Sequence, residues 1–124
     1  ETNELFAAFD GFSAKRLFKL LTALKGQGLK MRNVGSGTLH LAYTANGLMD
    51  GSFSNRVAIW DVAASIALCE AVGTEFNEFG KSMFPMTEFS LNSPKMYYYA
   101  GTSHFCRMVE RIWQEAGVFP SIEN

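Results

Sequence analysis

This sequence is short of several things, and each shortage excludes something. No stretch of about 18 residues stays apolar, because a charge or a glycine interrupts every run, so a membrane-spanning helix is excluded. Neither sign of charge is in excess. Eleven basic against twelve acidic residues leave a formal net charge of −1, and no global field exists to hold nucleic acid or an acidic membrane. The two cysteines, Cys69 and Cys106, are too few for a disulfide framework, which leaves a reducing cytoplasm as the expected compartment. No secretory signal, internal repeat or low-complexity stretch is visible. An initiator methionine is also missing: the chain starts Glu-Thr-Asn, as a processed protein or a piece of a longer one would. What is present suffices for a core. With 124 residues, 48% hydrophobic and 14% aromatic, the chain is expected to form a single domain over residues 1–124, and disorder is excluded.

Strand-like and helix-like segments alternate. Leu5–Phe9 is a short apolar run closed by Asp10-Gly11, which predicts a buried strand. Ser13 can cap a helix in which Leu17, Leu20, Leu21 and Leu24 share one face, ended by Gly26 and Gly28. Leu29–Asn33 reads as a strand. Over Thr38–Asn46, Leu39, Ala42, Tyr43 and Asn46 fall at helical spacing, with Gly47 as the stop. Leu48–Phe53 reads as a strand interrupted by Asp50-Gly51. Val57–Val72 is apolar nearly all round, which predicts a fully buried helix. Thr74–Phe79 and Pro85–Leu91 are weaker strand candidates, and Asn92-Ser93-Pro94 is a turn. Met96–Ala100, with three tyrosines, favours a strand. Ser103 is expected to cap a last helix whose apolar face is Phe105, Met108, Val109, Ile112, Trp113 and Ala116. The alternation predicts an α/β fold: a layered, mostly parallel sheet with helices on both faces. Ligands in such folds sit where strand ends meet helix starts.

Two helix starts carry information. Arg32-Asn33-Val34-Gly35-Ser36-Gly37 passes from strand to helix. Its free N–H groups and the helix dipole favour an anion or a hydroxyl oxygen. Equally, Ser36 can be an N-cap and the glycines can simply make the turn. A dinucleotide fingerprint fits worse, since it wants glycine or alanine where His40 stands. The second start is Trp60-Asp61-Val62-Ala63-Ala64. Asp61 in a first turn either complements the dipole, for roughly 0.3–1 kcal/mol, or binds a hard cation. Mg²⁺ takes oxygen donors and needs few of them from protein. Of the three aspartates, Asp10, Asp50 and Asp61, only Asp61 abuts both a large aromatic and an apolar helix.

Taken together, Arg32, Gly35, Ser36, Leu39, Ala45, Gly47, Asp50, Trp60, Asp61, Ala63, Ala64, Glu70, Ala71 and Gly73 resemble the second half of the inositol monophosphatase family, the Mg²⁺-dependent, lithium-sensitive phosphatases. The spacing from Arg32 to Asp61 matches that family without a gap, and the resemblance is strongest over residues 30–73. It implies the fold of the family's C-terminal domain and the hydrolysis of a small phosphomonoester. It implies that Asp61 binds one Mg²⁺ and touches a substrate hydroxyl, and that Gly35, Ser36 and Gly37 contact the alcohol portion of the substrate. Ser54 falls where inositol-specific members carry a ring-binding glutamate, which puts inositol phosphate in doubt as the preferred substrate. The family's Asp-Pro-x-Asp-Gly-Thr motif has no counterpart, since the chain has no Asp-Pro and no Asp-x-x-Asp. One carboxylate cannot assemble a two-metal site. The resemblance therefore implies a C-terminal half, parted by cloning or proteolysis from an N-terminal metal-binding domain. Such a half would carry no catalytic residue of its own and be inactive alone, and the intact enzyme would be a homodimer.

Two other readings stay open: a non-catalytic interaction domain of the same fold, and a relative of the bisphosphate nucleotidases or histidinol-phosphate phosphatases. His40 and His104 have no metal-spaced partner and read as structural histidines. Cys69 and Cys106 read as inert thiols. Tyr97-Tyr98-Tyr99 could stack on bases, but strand packing accounts for it more simply. The basic segment Lys15–Lys25 reads as a solvated face. A domain without its other half should expose an apolar surface.

Overall fold

In the computed structural model, residues 5–10, 19, 22–57, 59–78 and 96–116 are described. The elements are β1 (Leu5–Asp10), β2 (Leu29–Arg32), α1 (Gly37–Ala45), β3 (Gly51–Val57), α2 (Ile59–Val72), β4 (Glu75–Glu78), β5 (Met96–Gly101) and α3 (Ser103–Ala116). Residues 22–25 are helical and turn through 26–28 into β2. The Ser13 cap, Leu17, Leu20 and Leu21, the Pro85–Leu91 strand and the Asn92–Pro94 turn lie outside the described residues.

The five strands form one sheet in the order β2-β1-β3-β5-β4. Strand β1 is parallel to β2 and to β3, whereas β5 is antiparallel to both of its neighbours, β3 and β4. The expectation of a mostly parallel sheet therefore holds only in part. Strands β1 to β4 all run one way, and β5 enters from the opposite end to fill the place between β3 and β4. A helical crossover returns the chain in the same direction, and no helix connects β4 to β5 among the described residues.

Helices cover both faces, as expected. On one face α3 lays Phe105, Cys106, Met108, Val109, Ile112 and Trp113 over Ala7, Leu29, Phe53 and Tyr99, with Leu24 beside them. The Trp113 indole meets Phe53 and Tyr99 edge-on, at centroid distances of 5.6 and 5.8 Å. On the other face Leu41 and Ala45 of α1 and Cys69 of α2 pack on Tyr98 and Ala100. Successive strand residues point to opposite faces, so Tyr98 and Tyr99 serve different cores. Both are buried in the sheet, and for these two tyrosines the strand-packing reading holds.

Three local expectations need correction. First, α1 buries His40, Leu41, Thr44 and Ala45, not the stripe of Leu39, Ala42, Tyr43 and Asn46. The polar members of the buried stripe find partners: Thr44 Oγ1 donates to the His40 carbonyl at 2.8 Å, and His40 Nε2 accepts from the Val34 amide at 3.1 Å. Each such bond lowers the cost of burying a polar group. Second, α2 is not buried all round. Ser65 and Cys69 are buried, but Leu68 is 43% and Val72 55% exposed, and Ala63, Ala64, Ala67 and Ala71 are exposed with them. The helix lies against α1 and the edge strand β4, and its outer flank is largely alanine, which loses little by staying wet. Third, the α3 cap is Thr102, not Ser103: Thr102 Oγ1 accepts from the Phe105 amide at 3.1 Å.

The strand after α1 begins at Gly51, later than the sequence suggested, because Asp50 is used as a clasp. Its carboxylate accepts from the Phe6 amide at 2.7 Å, and its own amide donates to the Phe6 carbonyl at 2.8 Å. Asp50 thereby ties the start of β3 to β1.

Candidate active site

Because β1, β2 and β3 run parallel, their C-terminal ends share one edge of the sheet. Helices α1 and α2 start just after β2 and β3, so their N-termini project at that same edge. The chain order places β2 and β3 on opposite sides of β1. Successive connections therefore diverge there, as at a ligand-binding switch point.

The Gly35-Ser36-Gly37 turn is built at the first of these helix starts. Gly35 has φ +79°, a left-handed conformation that favours glycine, and a side chain there would meet open space. Asn33 Oδ1 accepts from the Gly35 amide at 2.8 Å. Ser36 is the N-cap, with extended φ −143° and ψ 113°, and its Oγ accepts from the Leu39 amide at 3.2 Å. The His40 amide donates to the Ser36 carbonyl at 2.9 Å. With the Val34 amide held by the His40 ring, the amides of Val34, Gly35, Leu39 and His40 are all engaged. Those of Ser36 and Gly37 make no hydrogen bond among the described residues. Two adjacent N–H groups thus stand open at the positive end of a helix, an arrangement suited to a phosphate or hydroxyl oxygen.

Arg32, the last residue of β2, is exposed. It donates from Nη1 to the Met31 carbonyl at 2.8 Å and rests its guanidinium over the Phe6 ring, 5.6 Å from the centroid. Asp61 lies in the first turn of α2. One turn further on, Ser65 Oγ donates to the Thr38 carbonyl of α1 at 3.3 Å, which brings the opening turns of the two helices alongside each other. Ser54 is fully buried on the sheet face beneath the helices, in register with Asp10 at the end of β1 and with Tyr98 of β5. A register shift between Ser54 and Val57 follows; such irregularities bend a strand next to functional sites.

Two residues at this edge were not credited with a role by sequence reasoning. His40 read as a structural histidine, yet it reaches back to the turn. Its signal was its position, four residues beyond the N-cap serine. Asn33 supplies the turn's other side-chain acceptor, and Asn-x-Gly is its legible mark. Two further features hold none of the predicted site residues. One is a groove of about 510 Å³ between α2 and β4, lined by residues including Ile66, Glu70, Phe76 and Glu78. The other is a charged cluster at the start of β4, where Arg107 pairs with Glu75 and, at 3.2 Å, with Glu110, and Glu110 accepts from the Tyr99 hydroxyl. There burial first, then the negative charge of Glu75, pushes the Cys106 thiol up to about 12, and burial with the Glu110 hydrogen bond pushes the Tyr99 phenol up as well.

Residues 5–114 match the inositol monophosphatase family. The chain belongs to that family. Solved structures similar to it include the extragenic suppressor protein suhB from Bartonella henselae (23% identity, TM-score 0.71, 90% of this chain and 42% of that one). Others are the inositol monophosphatase from Anabaena (20%, TM-score 0.67, 90% and 46%) and that from Thermotoga maritima (18%, TM-score 0.64, 92% and 43%). At these identities the likeness is one of fold. The chain spans less than half the length of each of these structures. No curated protein matches it.

Family membership makes this a phosphatase fold and raises the question of magnesium. Among the described residues no three His, Cys, Asp or Glu side chains gather where they could hold a metal ion. A hard cation needs several oxygen donors, so the described residues do not by themselves fit a magnesium centre.

Proposed function

We propose that this chain is the substrate-side portion of a metal-dependent phosphomonoesterase. In this reading Gly35, Ser36 and Gly37 receive the alcohol portion of a small phosphomonoester, and Ser54 lines the floor beneath it. Asp61 contributes one carboxylate to a Mg²⁺ ion whose other donors come from beyond residues 1–124. The bound metal would supply Lewis-acid activation of water and of the leaving group. The chain's own residues bind and orient, and none of them is catalytic. The observation that carries the reading is the pair of open amides at Ser36 and Gly37, beside the helix turn that holds Asp61. Ser in place of a ring-binding glutamate at position 54 argues for a substrate other than inositol phosphate.

The test is Asp61→Asn in the whole protein. Phosphatase activity should fall at least 100-fold while the circular dichroism spectrum is unchanged, and near-normal turnover at saturating Mg²⁺ refutes the assignment. The 124-residue chain alone should show no chelator-sensitive hydrolysis.

A further inference from the structure

We propose that His40 is a positioning residue, whose ring nitrogen fixes the Val34 amide and so aims the two open amides of the Gly35–Gly37 turn at the substrate. The inference rests on the reading of that turn as a substrate contact, and it names the residue that sets its geometry.

His40 is fully buried, yet it lies one turn inside α1 from the N-cap Ser36. Its Nε2 accepts from the Val34 amide at 3.1 Å. An imidazole nitrogen accepts only when it carries no proton, so this bond fixes the neutral tautomer with Nε2 bare and the hydrogen on Nδ1. The bond spans from the helix back to the loop before it and closes a ring of three side-chain acceptors around one turn. Asn33 Oδ1 takes the Gly35 amide, Ser36 Oγ takes the Leu39 amide, and His40 Nε2 takes the Val34 amide. Of the three acceptors only His40 is fully buried. Asn33 is exposed and Ser36 half-buried, so water can replace what they offer, whereas it cannot easily replace the imidazole. Val34, by contrast, is 50% exposed and gains little from apolar packing. The ring therefore ties an otherwise weakly anchored loop to the helix. Releasing the Val34 amide would free it to turn outward and carry Gly35 and Ser36 with it. A misplacement of about 1 Å in a positioning group can cost on the order of 100-fold in rate. Here the affected atoms bind rather than react, so the loss falls on binding.

The whole protein tests this with two measurements. Hydrogen-exchange mass spectrometry follows residues 33–37, and steady-state kinetics with p-nitrophenyl phosphate separates KM from kcat. In His40→Leu, exchange of the bonded Val34 and Gly35 amides should quicken about tenfold and KM should rise about tenfold, with kcat falling by less than threefold. His40→Gln, whose amide oxygen can accept in place of Nε2, should bring both values to within threefold of the parent. Unchanged exchange in His40→Leu, or a Gln variant no better than the Leu variant, overturns the proposal. Should His40→Leu fail to fold, Val34→Pro deletes the donor at an exposed position. It should raise KM and quicken exchange of the Gly35 amide by similar factors, and a Val34→Pro protein with parental values also overturns the proposal. If the parent protein turns over no phosphomonoester, the functional reading falls and the exchange data alone decide the role of His40.

Discussion

Gly51 and Phe105 offer a stringent test of how the sheet is held. Gly51 opens β3 and is paired with Gly101 of β5. A Cβ on Gly51 would fall inside the Phe105 ring. That ring is fully buried in one core cluster with Leu24, Phe53 and Trp113. Gly51 has no left-handed φ, so the cost of Gly51→Ala is steric alone. Overpacking typically costs about 1–3 kcal/mol, and overlap with a fully buried ring belongs at the upper end. Replacing glycine returns roughly 0.4–1 kcal/mol through the unfolded chain. The expected net loss is about 2 kcal/mol. Phe105→Ala alone should cost about 3–5 kcal/mol by leaving a cavity. In the double variant the new methyl enters that cavity, so the two losses should fall short of their sum by about 2 kcal/mol. Urea unfolding midpoints at constant slope read these values. Gly101→Ala is the control. Its Cβ would lie 2.6 Å from the Gly51 Cα, at φ +149°. That clash is with backbone, and Phe105→Ala should not relieve it. An unchanged midpoint for Gly51→Ala, or strictly additive losses in the double variant, refutes the packing argument.

Two further predictions concern groups outside the site. Asp50→Ala strips the Phe6 amide of a charged acceptor and should cost about 1.5–3 kcal/mol, while Asp50→Asn keeps an oxygen there and should cost less than half as much; equal losses in thermal melts would discount the clasp. Burial raises the Cys106 thiol to about 12 in the fold from 9.0 for a free thiol, so the folded chain keeps a proton that the unfolded chain releases. Its contribution to stability is complete below pH 9 and is lost as the pH climbs toward 12, by roughly 1.4 kcal/mol per unit and about 4 kcal/mol in all. Urea midpoints across that window should fall more steeply for the parent than for Cys106→Ala, and identical slopes would contradict the assignment.

Much of this was legible in the sequence because it depends on period and punctuation. The α3 stripe from Phe105 to Trp113 repeats at helical spacing and is buried where the pattern put it. Gly47 and Gly73 stop their helices in left-handed conformations. The strand-to-helix passage at Ser36 could be read as an N-cap, and it is one. What was not legible depends on partners distant in the chain. The buried face of α1 carries His40 and Thr44, whose polarity argues for solvent until their acceptor and donor roles toward Val34 and the helix backbone are known. The apolar surround of α2 predicts burial only if neighbours exist on every side, and among the described residues α1 and β4 supply them on two. The direction of β5 is set by which end of the sheet it enters, and no residue within Met96–Gly101 encodes that.

The inverted strand has a consequence for synthesis. Strand β4 has no ladder to β3, because β5 lies between them and is made later. A nascent chain that has emerged only as far as residue 78 therefore holds a three-stranded parallel ribbon whose β3 margin is unpaired, and a β4 segment with no partner among the described strands. Both are templates for the wrong neighbour until Met96–Gly101 arrives and zips them together in a single step. Closure of the sheet thus waits for Met96–Gly101, and release of the chain before that strand is made leaves a species prone to self-association.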